Sequence, residues 1–314
     1  MDNMLPPKFL ERLKLILPAE HYVNVLNTLA GPRSYWIRVN TLKSNVSDVA
    51  QILKTADIKY QTVPYFPSAL LIVKSENNSM IIDNLIAQGI LYPQNISSML
   101  PAIILNPQPE ENILDTCAAP GSKTSQMSAM MNNQGTIRAI DAVPKRLFKL
   151  RSVMQLLGVT NVTSTCCDFR RFVSTGQMFD KILVDAPCSS EGRFSAHDTD
   201  SYAYWSERKI KEMVQKQRGI LLSASRLLSQ NGILIYSTCT FAPDENEGVI
   251  DWFLRKTKLP FEVVPVSLPN EVPTYPAITQ WSKKPYAEET AKCLRVLPDG
   301  SYEGFFMAVL KHKI

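Results

Sequence analysis

Ile113-Leu-Asp115-Thr-Cys-Ala-Ala-Pro-Gly-Ser-Lys-Thr-Ser-Gln126 decides the fold. A short apolar strand signal ends on an aspartate, a bend of small residues follows, and a helical stretch opens at once. Such a turn lets the backbone approach a ligand closely, with helix N–H groups aimed at it. A phosphate-binding P-loop would need glycines where Cys117 and Ser122 stand, and no G-x-G-x-x-G fingerprint is present. Lys123-Thr124 is therefore only a lookalike of that motif.

Downstream, strand signals recur at Thr136–Asp141, Val162–Thr165, Lys181–Asp185 and Gly232–Ser237, with helical stretches at Pro144–Leu157 and Glu207–Leu228. Pro144 stands at a first helical position, where its missing N–H costs nothing. Alternating strands and helices predict parallel pairing in a Rossmann-like, doubly wound α/β sheet, which binds ligands beyond the carboxyl ends of its strands. Asp115, Asp141, Asp168 and Asp185 fall at four successive strand ends. One such aspartate is ordinarily a cap or turn former. Four on one rim point to a nucleoside-type cofactor, with Asp141 set to accept from ribose hydroxyls.

Upstream, residues 1–100 mix a helix from Phe9 to Leu17, a strand at Tyr35–Asn40, a helix from Asp48 to Thr55, and strands at Ala69–Val73 and Gly89–Tyr92. They read as a small α+β domain preceding a second domain over 101–314. The net charge of +5 suits a polyanionic partner. Six cysteines with no C-x-x-C spacing, and three histidines, argue against structural zinc; no metal is expected. The start lacks a secretory pattern and no stretch is long enough to span a bilayer. A cytoplasmic, reducing location with free thiols and a monomeric state are the expectations.

Cys188, in Asp185-Ala-Pro-Cys-Ser-Ser190, and Cys239, in Ser237-Thr-Cys-Thr-Phe241, follow the fourth and fifth strands and reach the rim of the aspartates. Cys166 and Cys293 read as small buried hydrophobes. A thiol beside an acid and a methyl donor suits carbon 5 of cytosine, itself a poor nucleophile. A thiolate added to carbon 6 makes carbon 5 enamine-like and able to accept a methyl group. The thiol must be partly ionised, an acid must manage the ring nitrogen, and something must remove the carbon-5 proton.

At these residues the chain resembles the Sun/nucleolar-protein family of RNA cytosine-5 methyltransferases. The likeness runs through Tyr92-Pro-Gln-Asn-Ile-Ser-Ser-Met-Leu-Pro101, Asp115 to Gln126, Asp141 with Lys145-Arg146, Asp168, the Pro-Cys and Thr-Cys segments, Pro243 with Glu245-Asn-Glu247, and Gly304-Phe-Phe-Met-Ala308. The resemblance implies S-adenosylmethionine as cofactor, held by Cys117, Ala118, Ala119, Pro120, Gly121, Ser122, Lys123, Asp141, Arg146, Asp168 and Asp185. It implies that Cys239 attacks the base and that Cys188 assists proton removal and product release. Lys123 and Asp185 would bridge cofactor and cytosine. Ser122 departs from the glycine of many relatives. The residues alone leave open which cysteine attacks, since DNA cytosine methyltransferases use the Pro-Cys thiol.

RNA, transfer or ribosomal, is the implied partner. Lys145, Arg146, Lys149, Arg151, Arg170, Arg171, Lys283 and Lys284, with Tyr202, Tyr204, Trp205 and Trp281 expected at the surface, would supply phosphate contacts and stacking platforms. A non-catalytic RNA-binding factor and an amino-group methyltransferase are the competing readings. The second favours an Asn/Asp-Pro-Pro-Tyr segment, which Cys188 and Ser189 interrupt here.

Overall fold

The computed structural model describes residues 5–73, 79–173 and 176–313. Met1 to Met4, on which the reading of the chain's start partly rests, lie outside them. The chain forms two compact units, Ser34–Leu183, and Met1–Arg33 together with Val184–Ile314. The first two helices, α1 (Pro7–Ile16) and α2 (Ala19–Leu29), thus fold with the C-terminal residues.

The unit Ser34–Leu183 holds two sheets. In the first, β1 (Tyr35–Val39), β2 (Tyr60–Thr62), β3 (Ala69–Ile72) and β4 (Leu91–Pro93) run in the order β2-β3-β1-β4, all antiparallel. Helices α3 (Val46–Thr55) and α4 (Ser79–Ala87) cover it. Val49, Leu53, Ile82 and Leu85 pack on Ile37, Val39 and Leu70, a core of branched aliphatics. Asn45 starts α3 by accepting the Asp48 N–H at 2.8 Å, as an N-cap should. The residue-100 boundary expected from sequence falls within α5 (Ile96–Leu105).

The second sheet carries β5 (Asn112–Asp115), α6 (Ser122–Met130), β6 (Thr136–Asp141), α7 (Pro144–Leu157), β7 (Val162–Cys166) and β8 (Phe179–Asp185). The strands run β8-β5-β6-β7 and are parallel, as their rhythm predicts. Pro144 stands in the first turn of α7, and Gly158 closes that helix at φ +70°. β7 is an edge strand, which corrects the reading of Cys166: with a neighbour on one side only, that thiol is exposed. Cys293 is buried as expected.

In the other unit the chain continues from β8 through α8 (Glu207–Ser225), β9 (Leu228–Thr238), α9 (Glu247–Lys256), β10 (Phe261–Val264), β11 (Thr274–Pro276), the β12–β13 hairpin (Gln280–Trp281, Lys284–Pro285), β14 (Leu294–Val296) and β15 (Phe305–His312). Here strands that the sequence reading did not include add antiparallel pairing to the sheet. β15 lies antiparallel against β9, with Ala308 opposite Tyr236, and β10 and β14 pair antiparallel with β15. No helix separates β14 from β15, and a chain that reverses without a crossover can pair only antiparallel.

Helices α1 and α2 bury Phe9, Leu13, Val25 and Leu29 in a cluster with Phe194 and Phe241. Phe9 meets Phe194 at 4.9 Å and Trp205 at 6.0 Å between ring centroids. Trp205 and Tyr202, expected at the surface, are partly buried against this cluster; Tyr204 is 89% exposed. An ion pair lies below: Arg295 grips Glu247 through two bonds of 2.7 and 2.6 Å, with both side chains buried. Removing one partner strands the other charge in a dry interior. Arg295→Met should therefore lower unfolding stability by about 3–5 kcal/mol in a denaturant titration. A loss within experimental error would show that the pair does not support the fold.

Candidate active site

In the parallel sheet, the end of β5 and the bend to α6 form one polar cradle. Asp115 accepts the Thr124 hydroxyl at 2.7 Å, which fixes the acid against the first turn of α6. Asp141, at the end of β6 and nearly buried, accepts the Ala119 N–H at 3.2 Å and the Val143 N–H at 2.9 Å. Arg146 reaches back from α7 to the Ala119 carbonyl and lies 3.5 Å from Asp141. Gly121 sits at φ +109°, and a Cβ there would stand 2.8 Å from the Met154 methyl. That backbone angle suits glycine, while the methionine methyl, at the end of a flexible side chain, could give way.

Lys123 is 8% exposed and donates to the Ser98 hydroxyl at 2.9 Å. Tyr92 and Ser122 share a hydrogen bond of 3.0 Å, so the serine that departs from the family pattern has a partner. Arg38, buried on β1, donates to Gln94 at 2.9 Å and to Ser125 at 2.8 Å; burial lowers its pKa to about 10. Gln94 in turn donates to Gln126 at 2.8 Å. This chain ties the antiparallel sheet to α6. Asp168 lies two residues beyond β7 and caps a short turn: it accepts the Arg170 N–H and pairs with that guanidinium, whose hydrogen bond holds its carboxyl below the ordinary value.

In the other unit, Asp185 ends β8 and accepts the Ser237 hydroxyl at 2.8 Å. The loops after β8 and β9 then bring Cys188 and Cys239 together, sulfur to sulfur 3.4 Å, both free thiols and half-buried. The pair is asymmetric. Cys239 is held below the ordinary thiol value first by the hydrogen bond from Cys188, then by nearby Arg193 and the Ser190 hydroxyl, against its own burial. Cys188 is pushed well up by that same bond, by burial, and by the charges of Cys239 and Glu245. Of the two thiols, Cys239 is therefore the one that gives up its proton more readily, and Cys188 the one that keeps it.

Two buried carboxyls brace the loops. Glu191 accepts from Trp205 Nε1 at 2.8 Å, Thr240 Oγ at 2.9 Å and the Phe241 N–H at 3.1 Å. Glu245 accepts the Ser189 N–H at 3.0 Å and Gln217 Nε2 at 2.8 Å, and also bonds the Ser189 hydroxyl. Neither brace was read as functional from sequence. Their partners lie 14 to 56 residues away in the chain, and no local spacing announces them. Glu245 appeared only inside a family motif. Among the described residues no group of side chains could hold a metal ion, and no helix is long and apolar enough to cross a membrane.

A parallel sheet whose first strand turns into a helix over a small-residue cradle, with an acid at the end of the next strand holding that cradle, belongs to the doubly wound, S-adenosylmethionine-binding methyltransferase class. Residues 102–311 match the family described as 16S rRNA methyltransferase RsmB/F, and residues 5–77 match the RsmF/B-like ferredoxin-like domain. The chain belongs to this family, the Sun family of S-adenosylmethionine-dependent RNA cytosine-5 methyltransferases. It is 35% identical over 278 residues to the tRNA (cytosine(49)-C(5))-methyltransferase of Pyrococcus abyssi, covering 88% of this chain and 87% of that one. It is 37% identical over 263 residues to the ribosomal RNA small subunit methyltransferase F of Aeromonas salmonicida, covering 81% of this chain but 55% of that longer protein. A crystal structure of a methyltransferase homolog from Pyrococcus horikoshii superposes with a TM-score of 0.83 at 30% identity, over 99% of this chain and all of the other. NSun6 from the same organism, crystallised with SFG, shares the fold at a TM-score of 0.82 and 23% identity, over 99% of each chain.

The raised carboxyl supplies a check on this geometry. Burial pushes Glu245 up to about 8 from an ordinary value of 4.5. Between those values the folded chain holds a proton that the unfolded chain releases, so stability should fall as pH rises through that window. Glu245→Gln should flatten the dependence of the denaturation midpoint on pH. Identical slopes for the two proteins would show that Glu245 is ionised in the folded state.

Proposed function

We propose that this chain transfers a methyl group from S-adenosylmethionine to carbon 5 of a cytosine in transfer or ribosomal RNA, with Cys239 as nucleophile. The observation that carries the reading is the 3.4 Å contact between the Cys188 and Cys239 sulfurs, an asymmetric pair in which the surroundings favour ionisation of Cys239 over Cys188. Its thiolate adds to carbon 6, and the electron pair moves toward carbon 5. The cofactor, when bound, supplies the electrophilic methyl that carbon 5 takes up. Asp185, held by Ser237, manages the proton at ring N3 as charge builds there. Cys188 assists removal of the carbon-5 proton; the carbon–sulfur bond then breaks and the Cys239 thiolate returns.

Cys117 to Lys123, Asp141, Arg146, Asp168 and Asp185 are the residues assigned to the cofactor, and Lys123 with Asp185 also to the cytosine. The fit of that group rests on the cradle itself: a bend without a Cβ at Gly121, and an acid at Asp141 whose oxygens keep lone pairs for hydroxyls. Residues 1–100 form the accessory RNA-holding portion and 101–314 the catalytic one, in a cytoplasmic monomer. Because the target atom is inaccessible within a stack, the cytosine is unpaired or flipped.

Cys239→Ala should abolish methylation, and Cys188→Ala should accumulate a covalent protein–RNA adduct visible as a shifted band in denaturing gels. The opposite pattern would reassign the nucleophile. Bisulfite sequencing of RNA from cells with and without the protein should reveal one protected cytosine lost in its absence. That position fixes whether transfer or ribosomal RNA is the substrate, and no loss at all would overturn the reading.

A further inference from the structure

A cleft of about 780 Å³ lies on the unit that carries the thiols, bounded by α8, α9 and the β12–β13 hairpin. Lys211, Arg218, Trp252, Lys256, Trp281 and Lys284 are among its lining residues. None of the residues assigned to cofactor or catalysis lines it. Its two acids are already taken. Asp251 pairs with Arg255 at 2.8 Å on the same helix, and Asp244 pairs with Arg12 at 2.6 Å. Lys211, Lys256 and Lys284 are exposed and make no ion pair among the described residues, so the cleft keeps a surplus of positive charge.

Aromatic surface accompanies that charge. The Arg218 guanidinium lies over the Trp252 ring, 5.2 Å from its centroid, and Arg12 lies over Trp281 at the same distance. The buried Arg218 Nε has no hydrogen-bond partner among the described residues. Unpaired lysines beside two partly exposed indoles suit an anion that carries its own planar ring. The volume falls within the roughly 300–1,000 Å³ typical of small-ligand sites, which suits a short stretch of strand and not a duplex.

We infer that this cleft holds a single-stranded segment of the substrate RNA, with Lys211, Lys256 and Lys284 on phosphates and Trp252 and Trp281 offering ring faces to bases. The inference rests on the chain acting on RNA and is indifferent to which cysteine attacks. α8 links the cleft to the thiols: Gln217 bonds Glu245 and the Pro187 carbonyl on one side, while Arg218 lines the cleft on the other. A strand seated here would lie against the helix that braces the Cys188 loop.

The test is binding of a fluorescein-labelled oligouridylate to the whole chain without cofactor, measured by anisotropy across a salt series, so that failure of the methylation chemistry leaves the readout intact. In the double variant Lys211→Glu/Lys256→Glu the slope of log affinity against log salt should flatten by roughly 1.4, since each phosphate contact to a single strand contributes roughly 0.7. The KM for RNA should rise while kcat is kept. Lys211→Gln/Lys256→Gln repeats the slope measurement should charge reversal disturb folding. An unchanged slope overturns the inference. So does a variant that keeps its RNA affinity and loses binding to polyglutamate, an outcome that would assign the cleft to an acidic protein partner.

Discussion

Beneath the two thiols lie two carboxyls that water barely reaches, and the geometry of the sulfur pair depends on how they are satisfied. Burying an acid is costly unless donors surround it. Glu191 and Glu245 meet that condition by drawing donors from both cysteine-bearing loops, from the residues after Thr238 and from α8. The loops are therefore held by directed bonds as well as by apolar packing. A shift of either loop would leave a buried acceptor short of a donor, a loss of about 1–3 kcal/mol for each such group. The 3.4 Å sulfur contact is maintained by that penalty.

The parallel sheet uses acids differently. Asp141 takes backbone N–H groups of the bend beyond β5 and of its own strand end, so this carboxylate shapes the turn. Arg146 closes the arrangement from α7 by bonding the Ala119 carbonyl. The antiparallel sheet is coupled to the same bend through Arg38, Gln94 and Gln126, three buried polar side chains that share hydrogen bonds and leave no slack. Such a network gives rigidity where every member is satisfied. An RNA-recognition role for the small sheet would thus be felt at α6 through a short, stiff path inside one unit.

Much of this was legible from the chain. β6 and α7 begin and end where their periodicity and flanking residues place them, because Pro144 and Gly158 are strong local signals. Asp115, Asp141 and Asp185 do end strands, since a strand-to-turn transition leaves its mark within a few residues. What was not legible depends on partners distant in sequence. β15 gave no strand reading, yet it pairs along β9 over six residues, a contact decided by apolar burial on both faces and not by local pattern. Trp205 looks exposed in a polar stretch, but its indole N–H is claimed by Glu191. Cys166 looks like core until the sheet order shows that β7 has one neighbour.

The choice between the two cysteines shows the same limit at the level of chemistry. Pro-Cys and Thr-Cys each put a thiol one step beyond a strand, and nothing in either dipeptide favours ionisation there. The asymmetry comes first from the hydrogen bond between the two thiols and then from elsewhere in the chain, with Arg193 and Ser190 favouring charge on Cys239. With the sulfurs this close, a second negative charge on the pair would be strongly disfavoured, so one proton must stay and the surrounding charges decide where. A single cation or acid moved to the other sulfur would exchange the roles of nucleophile and proton handler while leaving both motifs intact. In this chain the residues that bias the pair toward Cys239 are Ser190 and Arg193.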